Sequence, residues 1–238
     1  MKVEEQMISL RLGGMHSQWL GLKESKGLQQ LSLVEGMEIL LRAESQEREN
    51  RKMDRLTKTA NFRYQSSLQE IAYTPDRGLK DNTIHLLASG EYIKNGEAVL
   101  ITGATGCGKS YIATALGHHA CAQGYKTLYY NMQKLLLRLK IARAEGTILK
   151  LMEKISKTQL LIIDDFGLTP LAAQDRIDLM EIVEDRHRKN ATIIASQLPV
   201  ANWYDIIGED TIADAILDRL TAQSHRIELK GESLRKKL

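Results

Sequence analysis

One run of residues, Gly103-Ala104-Thr105-Gly106-Cys107-Gly108-Lys109-Ser110, constrains the fold of this chain more than any other. The apolar Ala98-Val99-Leu100-Ile101 precedes it, and a helical pattern from Lys109 to about Gln123 follows. A loop of the form G-x-x-x-x-G-K-[ST] grips phosphate only where a strand ends and a helix begins. There, Gly103, Gly106 and Gly108 can take positive φ and turn consecutive backbone N–H groups towards an oligophosphate. The free N–H groups and dipole of the next helix add to that positive field. Lys109 is placed to reach the β- and γ-phosphates, and the Ser110 hydroxyl to take one position on Mg²⁺. Gly103 through Ser110, closed by Tyr111, is the predicted nucleotide-binding stretch.

Strand-like apolar runs recur at Ala98–Thr102, Lys126–Asn131, Leu160–Asp164, Ala191–Ser196 and His225–Leu229, with helical patterns between them. That alternation predicts an α/β domain with a parallel sheet and right-handed crossovers. Single helices are expected over Asn82 to about Ile93, and over Gln174 to Lys189 with Asn190 as its stop. Arg186, Arg188 and Lys189 would crowd the last turn of the latter, where cations suit the helix dipole. Leu160-Leu161-Ile162-Ile163 then delivers Asp164-Asp165 to the carboxyl end of a buried strand, where ligands sit in open α/β sheets. Asp164 is placed to hold Mg²⁺, and Asp165 to orient an attacking water.

Residues 1–65 read as a separate helical part, and 66–238 as the nucleotide-binding domain. Ile8, Leu10, Leu12, Met15, Trp19 and Leu22 recur at helical spacing, with Gly13-Gly14 as a break. A second helical pattern starts near Ser32 and runs into the charged segment Arg42–Arg63. That segment is either a solvated helix held by i,i+4 ion pairs or a basic arm for a phosphate backbone or a partner. Net charge is only +3, so a nucleic-acid surface must be local. Between the second and third strands, Gln133–Lys157 carries seven basic and two acidic residues. There Lys134, Arg138, Lys140 and Arg143 are the candidate DNA contacts, against the alternative of a solvated face. Cys107 and Cys121 lack metal-ligand spacing. The N-terminus has no signal-peptide core and no apolar run reaches membrane-spanning length, so a cytoplasmic protein is expected, without a membrane partner.

The order of these motifs resembles the AAA+ ATPases of the initiator and helicase-loader clade. More closely, the chain resembles the IstB-like helper ATPases of insertion-sequence transposition, relatives of the DnaC helicase loaders. The resemblance is carried by Gly103–Ser110, by Leu161–Leu168 with Asp164-Asp165-Phe166-Gly167, and by Ala195-Ser196-Gln197-Leu198-Pro199. Ile216-Leu217-Asp218-Arg219-Leu220 and His225–Ser233 carry it furthest. It implies a five-stranded parallel sheet of order 5-1-4-3-2 and a helical lid that is absent or vestigial. It also implies ATP and Mg²⁺ as cofactors, with Lys109, Asp165, Gln197 and Arg219 as catalytic residues. Gln197 would sense the γ-phosphate where relatives usually have Asn, and Asp165 stands where many AAA+ proteins have Glu. Arg219 would be an arginine finger reaching a neighbour's site, with Arg226 as runner-up and Arg235 as a stand-in for the lid's phosphate sensor. The implied partners are double-stranded DNA bound without sequence preference, a transposase, and further copies in a head-to-tail oligomer. Two other readings keep the loop and change the client. One is a replicative helicase loader with 1–65 as docking arm; the other is a small-molecule kinase.

Overall fold

The structure, a computed structural model, describes residues 2–25, 27–29, 31–71, 77–79 and 81–234. Two compact units divide the chain, Met1–Arg55 and Leu56–Leu238. The first contains α1 (Val3–Ser9), α2 (Gly13–Glu24) and most of α3 (Leu33–Ala60). The break between the first two helices falls at Leu10–Leu12, before the glycine pair, where Arg11 takes a left-handed φ of 59°. Gly13 therefore opens a helix instead of ending one. Met7, Met15 and Leu40 form a small core with Leu12, Trp19 and Leu22. Glu44 is buried inside this unit. Its Oε2 accepts from the backbone N–H groups of Gly14 (2.9 Å) and Met15 (3.3 Å), which the start of α2 would otherwise leave unpaired. Arg48 donates to its other oxygen at 2.7 Å and is the first reason that the carboxyl sits below the usual range.

The second unit is an α/β domain. β1 (Ala98–Gly103), β2 (Thr127–Asn131), β3 (Leu160–Phe166), β4 (Ala191–Ser196) and β5 (Ser224–Leu229) form one sheet in the order β2-β3-β4-β1-β5. Every pairing is parallel. That is the expected 5-1-4-3-2 order read from the other edge. Both faces are covered, which is why Val99-Leu100-Ile101 and Leu160–Ile163 read as continuous apolar runs. One face packs on α4 (Asp81–Ala88), α5 (Glu91–Lys94) and α6 (Lys109–Ala122). The other packs on α7 (Met132–Ala144), α8 (Ile148–Ser156), α9 (Ala173–Arg186), α10 (Trp203–Ile207) and α11 (Asp210–Thr221).

Two helical expectations need correction. The single helix over Asn82–Ile93 is two, because Gly90 takes φ 78° between α4 and α5. α9 ends at Arg186, short of Asn190. Arg188 and Lys189 fall beyond the helix, and Arg186, which does stand in its last turn, is 1% exposed and ties three elements together. Its Nη1 donates to the carbonyls of Ile155 and Thr158, both at 2.6 Å. Nη2 donates to the Ala191 carbonyl, and Nε donates to Thr192 Oγ1 at 3.1 Å. Burial draws its pKa down to about 9, so it remains a cation at neutral pH.

Candidate nucleotide site

β1 ends at Gly103 and α6 starts at Lys109, so the loop sits where the sequence predicts, at the carboxyl end of a central strand. Gly103, Gly106 and Gly108 have φ of 145°, 82° and 100°, backbone that side chains rarely adopt. Lys109 is almost buried, and its Nζ donates to the Ala104 carbonyl at 2.8 Å, curled over the loop. Arg77 braces the loop from outside, with Nη2 donating to the Cys107 carbonyl at 2.7 Å. After β5 the chain returns to the loop, and Leu234 N donates to Gly106 O at 3.0 Å. The loop borders a cleft of about 350 Å³ whose walls include Tyr64, Lys109, Ser110, Tyr111, Asp165, Gln197 and Leu234. Tyr111 turns its hydroxyl to Glu70 Oε2 at 2.5 Å, and that bond raises its pKa.

The two carboxylates of β3 have different surroundings because the strand is irregular where they stand. Ile163 pairs with Ile194, but the next pair is Phe166 with Ser196, so β3 carries an extra residue there. Successive strand residues ordinarily face opposite sides of the sheet. A bulge breaks that alternation, and Asp165 takes a left-handed φ of 57°. Asp164 is fully buried, accepting from Ser110 Oγ at 3.0 Å and from the Tyr129 hydroxyl at 2.6 Å. Burial first, and then Asp164, push the Tyr129 pKa far up, so that hydroxyl stays a donor. Asp165 instead faces the cleft, where its Oδ2 accepts from Asn131 Nδ2 at 2.8 Å and from Arg63 Nη1 at 3.3 Å. At the end of β4, Ser196 Oγ donates to Phe166 O at 2.8 Å, and Thr105 Oγ1 donates to Gln197 Oε1 at 2.7 Å.

The structure therefore brings Lys109, Ser110, Asp164, Asp165 and Gln197 together. Arg219 is elsewhere. It closes α11 just before β5, at the amino end of the sheet, beside Gly96, Thr192 and Gln223. Its Nε pairs with Glu184 of α9, not with Asp214 or Asp218, and its Nη1 donates to Ala215 O at 2.9 Å. Arg226 is exposed on β5, and Arg235 lies outside the described residues. The four candidate DNA contacts on α7 separate into two pairs. Lys134 and Arg138 face a second cleft, of about 530 Å³, whereas Lys140 pairs with Asp175 at 3.1 Å and Arg143 with Asp178 at 2.5 Å. Sequence reasoning named Arg63 only as the end of the charged segment, not as a neighbour of Asp165, and missed Arg77, Tyr129 and Asn131 as site residues. Only Asn131 left a readable signal, as a polar residue ending the strand beside the one that bears the two carboxylates.

The family described as IstB-like ATP binding protein matches residues 5–238. The chain belongs to that family. It is 40% identical over 232 residues to the insertion sequence ATP-binding protein y4pL of Sinorhizobium fredii, covering 98% of this chain and 95% of the relative. In fold it is similar to DnaI (TM-score 0.60, 18% identity, 70% of this chain and 92% of that one). It is similar also to the DnaC helicase loader (TM-score 0.56, 20% identity, 63% of this chain and 87% of that one). At such identities these two establish the AAA+ fold alone. The chain is accordingly an ATP-binding protein and an ATPase of the IstB-like group. No described helix is long and apolar enough to cross a membrane.

Proposed function

We propose that this chain is a DNA-bound, ATP-driven assembly factor that assists the transposase of an insertion sequence. One observation carries the assembly part. The phosphate-gripping residues and Arg219 lie at opposite ends of the sheet. The six-residue β1 alone spans roughly 17–20 Å between those ends. No side chain covers that distance, so an Arg219 that acts on a γ-phosphoryl group acts on a neighbour's. Such a head-to-tail contact builds rings or open helices, not two-fold dimers.

The geometry supports a division of labour within one site. The loop N–H groups and Lys109 bind and orient the phosphates. Asp165 takes the hydrogen bond of the attacking water, and Gln197 Nε2, with its oxygen engaged by Thr105, is left to donate to the γ-phosphate. Ser110 Oγ and Asp164 Oδ1, two oxygens already 3.0 Å apart, suit a hard cation such as Mg²⁺. When bound, that ion would supply charge neutralisation for the β- and γ-phosphate oxygens.

The DNA surface is the cleft of Lys134 and Arg138, whose side chains have no acidic partner among the described residues. The transposase reading is supported by the relatives, which are insertion-sequence proteins. A docking face is available in the first unit, where Leu33, Val34, Met37 and Leu41 of α3 are all exposed. The test is duplex binding measured over a range of salt. Replacing Lys134 and Arg138 by Ala should lower the slope of log affinity against log salt by about two. Replacing Lys140 and Arg143 should change it less, since both are engaged by α9. An unchanged slope in the first variant would move DNA to another surface.

A further inference from the structure

We infer that Arg63 restrains the hydrolytic carboxylate Asp165 in the resting chain and yields it when a DNA phosphate enters the neighbouring cleft. The inference rests on the DNA-binding reading above and adds how DNA would control turnover.

Asp165 is the one residue that lines both clefts, the one at the phosphate loop and the basic one. It is the wall between them. Its Oδ2 accepts both the Asn131 amide at 2.8 Å and the Arg63 guanidinium at 3.3 Å. A carboxylate so engaged offers less negative potential to a water on its other side. The second cleft carries Arg63, Lys134 and Arg138 against a single carboxylate, Asp165 itself, with Asn61, Tyr130 and Asn131 as further polar lining. Three cations to one anion suit a phosphodiester.

The placement of Arg63 is built in by its neighbours. α3 stops where Asn61 takes φ 58°, a left-handed conformation that asparagine tolerates at a helix end. Phe62 then packs against α6, where Gly117 makes room. A Cβ at Gly117 would lie 2.6 Å from Phe62 Cε1, and the Phe62 ring sits 4.3 Å from that of His118. On the other side of Arg63, the Tyr64 carbonyl lies 3.1 Å from His118 Nε2, and the guanidinium rests 5.2 Å over the Tyr64 ring. The backbone is held before and after Arg63, while its side chain stays 46% exposed. Exposed pairs are weak and readily exchanged. A phosphate bound between Lys134 and Arg138 competes for the same guanidinium and leaves Asp165 with one hydrogen bond fewer.

The experiment is steady-state ATP turnover of the full chain with and without a duplex of random sequence, alongside ATP and duplex affinities. Wild type should be stimulated by duplex. Arg63→Ala should raise the duplex-free rate about two- to fivefold, the range set by an exposed pair, and lose most of the response to duplex. Arg63→Lys retains the charge and should restore part of the restraint, which a merely structural role for Arg63 would not predict. A chain that binds no duplex would bring down the DNA reading. A chain that binds duplex while Arg63→Ala, with normal ATP affinity, neither raises the basal rate nor loses the response would bring down the restraint alone.

Discussion

At the carboxyl end of the sheet the polar side chains face open clefts, whereas at the amino end they are folded inward and paired. Lys109, Ser110, Asp165 and Gln197 border a cleft at the first end. At the other, Arg186 is enclosed by four acceptors, Arg219 pairs with Glu184, and His225 pairs with Glu97. Helix direction accounts for much of the contrast. Each crossover leaves the carboxyl end of one strand and returns to the amino end of the next. α6 and α7 start soon after β1 and β2, so their positive N-termini lie at the cleft end, whereas α9 and α11 end shortly before β4 and β5, so their negative C-termini lie at the opposite edge. Arg186 and Arg219 stand in the last turns of α9 and α11, where cations are favoured. The same field that makes one end receptive to phosphate stores arginines at the other. Arg219 is thus satisfied within the chain at rest, by Glu184 and the field of its own helix.

The largest expected effect tests whether the two ends cooperate between copies. Arg219→Ala should bind ATP yet lose turnover by about 10³-fold, the low end for a trans arginine in phosphoryl transfer. Lys109→Ala should neither bind nor turn over. Mixed, the two variants create interfaces that pair an intact loop with an intact Arg219, and activity should partly return. If the mixture is no more active than its parts while both variants assemble, Arg219 is only the partner of Glu184. In that case Glu184→Gln should match Arg219→Ala.

A smaller effect separates the two arginines of the amino end. Arg186→Met removes a cation whose hydrogen bonds satisfy the carbonyls of Ile155, Thr158 and Ala191, leaving them without those donors. A loss of about 3–5 kcal/mol in stability is expected, or a fall in Tm of roughly 10 °C. Thermal unfolding measures it. Folded Arg186→Met should keep its affinity for ATP, because the residue lies far from the loop. A Tm within a degree or two of wild type would mean that the carbonyls find other donors.

The phosphate loop was legible because all of its determinants are local: an apolar strand, three glycines and a helix start within a dozen or so residues. The Asp164-Asp165 pair was legible as chemistry but not as geometry. The bulge that turns Asp165 into the cleft arises from the register between β3 and β4, which no local pattern records. The basic stretch on α7 was read by counting charges. At about 100° per residue, Lys140 and Arg143 lie on the far side of the helix from Lys134 and Arg138. Asp175 and Asp178 of α9 receive them there. Arg63 was read only as the last charge of a basic segment; its pairing with Asp165 could not be read, since that partner is 102 residues away. The buried Arg186 looked like an ordinary cation in a last turn. Only its tertiary neighbours show three carbonyls in need of a donor.

The smallest effect concerns how far the pairing at the amino end matters as charge. His225 Nε2 lies 2.7 Å from Glu97 Oε2, and Asn95 Nδ2 donates to Oε1 at 3.1 Å. His225 is the first reason that the Glu97 carboxyl sits below the ordinary 4.5, against an opposing push from burial, and Asn95 adds to the lowering. A carboxyl with a lowered folded-state pKa stabilises the fold in its ionised form. The contribution is complete above the unfolded value of 4.5 and is lost as pH falls through the folded value. Glu97→Gln should therefore cost roughly 0.2–1 kcal/mol at pH 6, about 1–4 °C in Tm, with screening by solvent keeping it small. At a pH below the folded value the variant and wild type should melt together, because the wild-type carboxyl is then protonated as well. Melting curves at the two pH values decide it. A difference that persists undiminished in acid would show that Glu97 holds β1 and β5 together through neutral hydrogen bonds. The amino end would then be a packed edge whose charges are incidental, in contrast to the loop end, where the proposed function rests on the charge of Lys109.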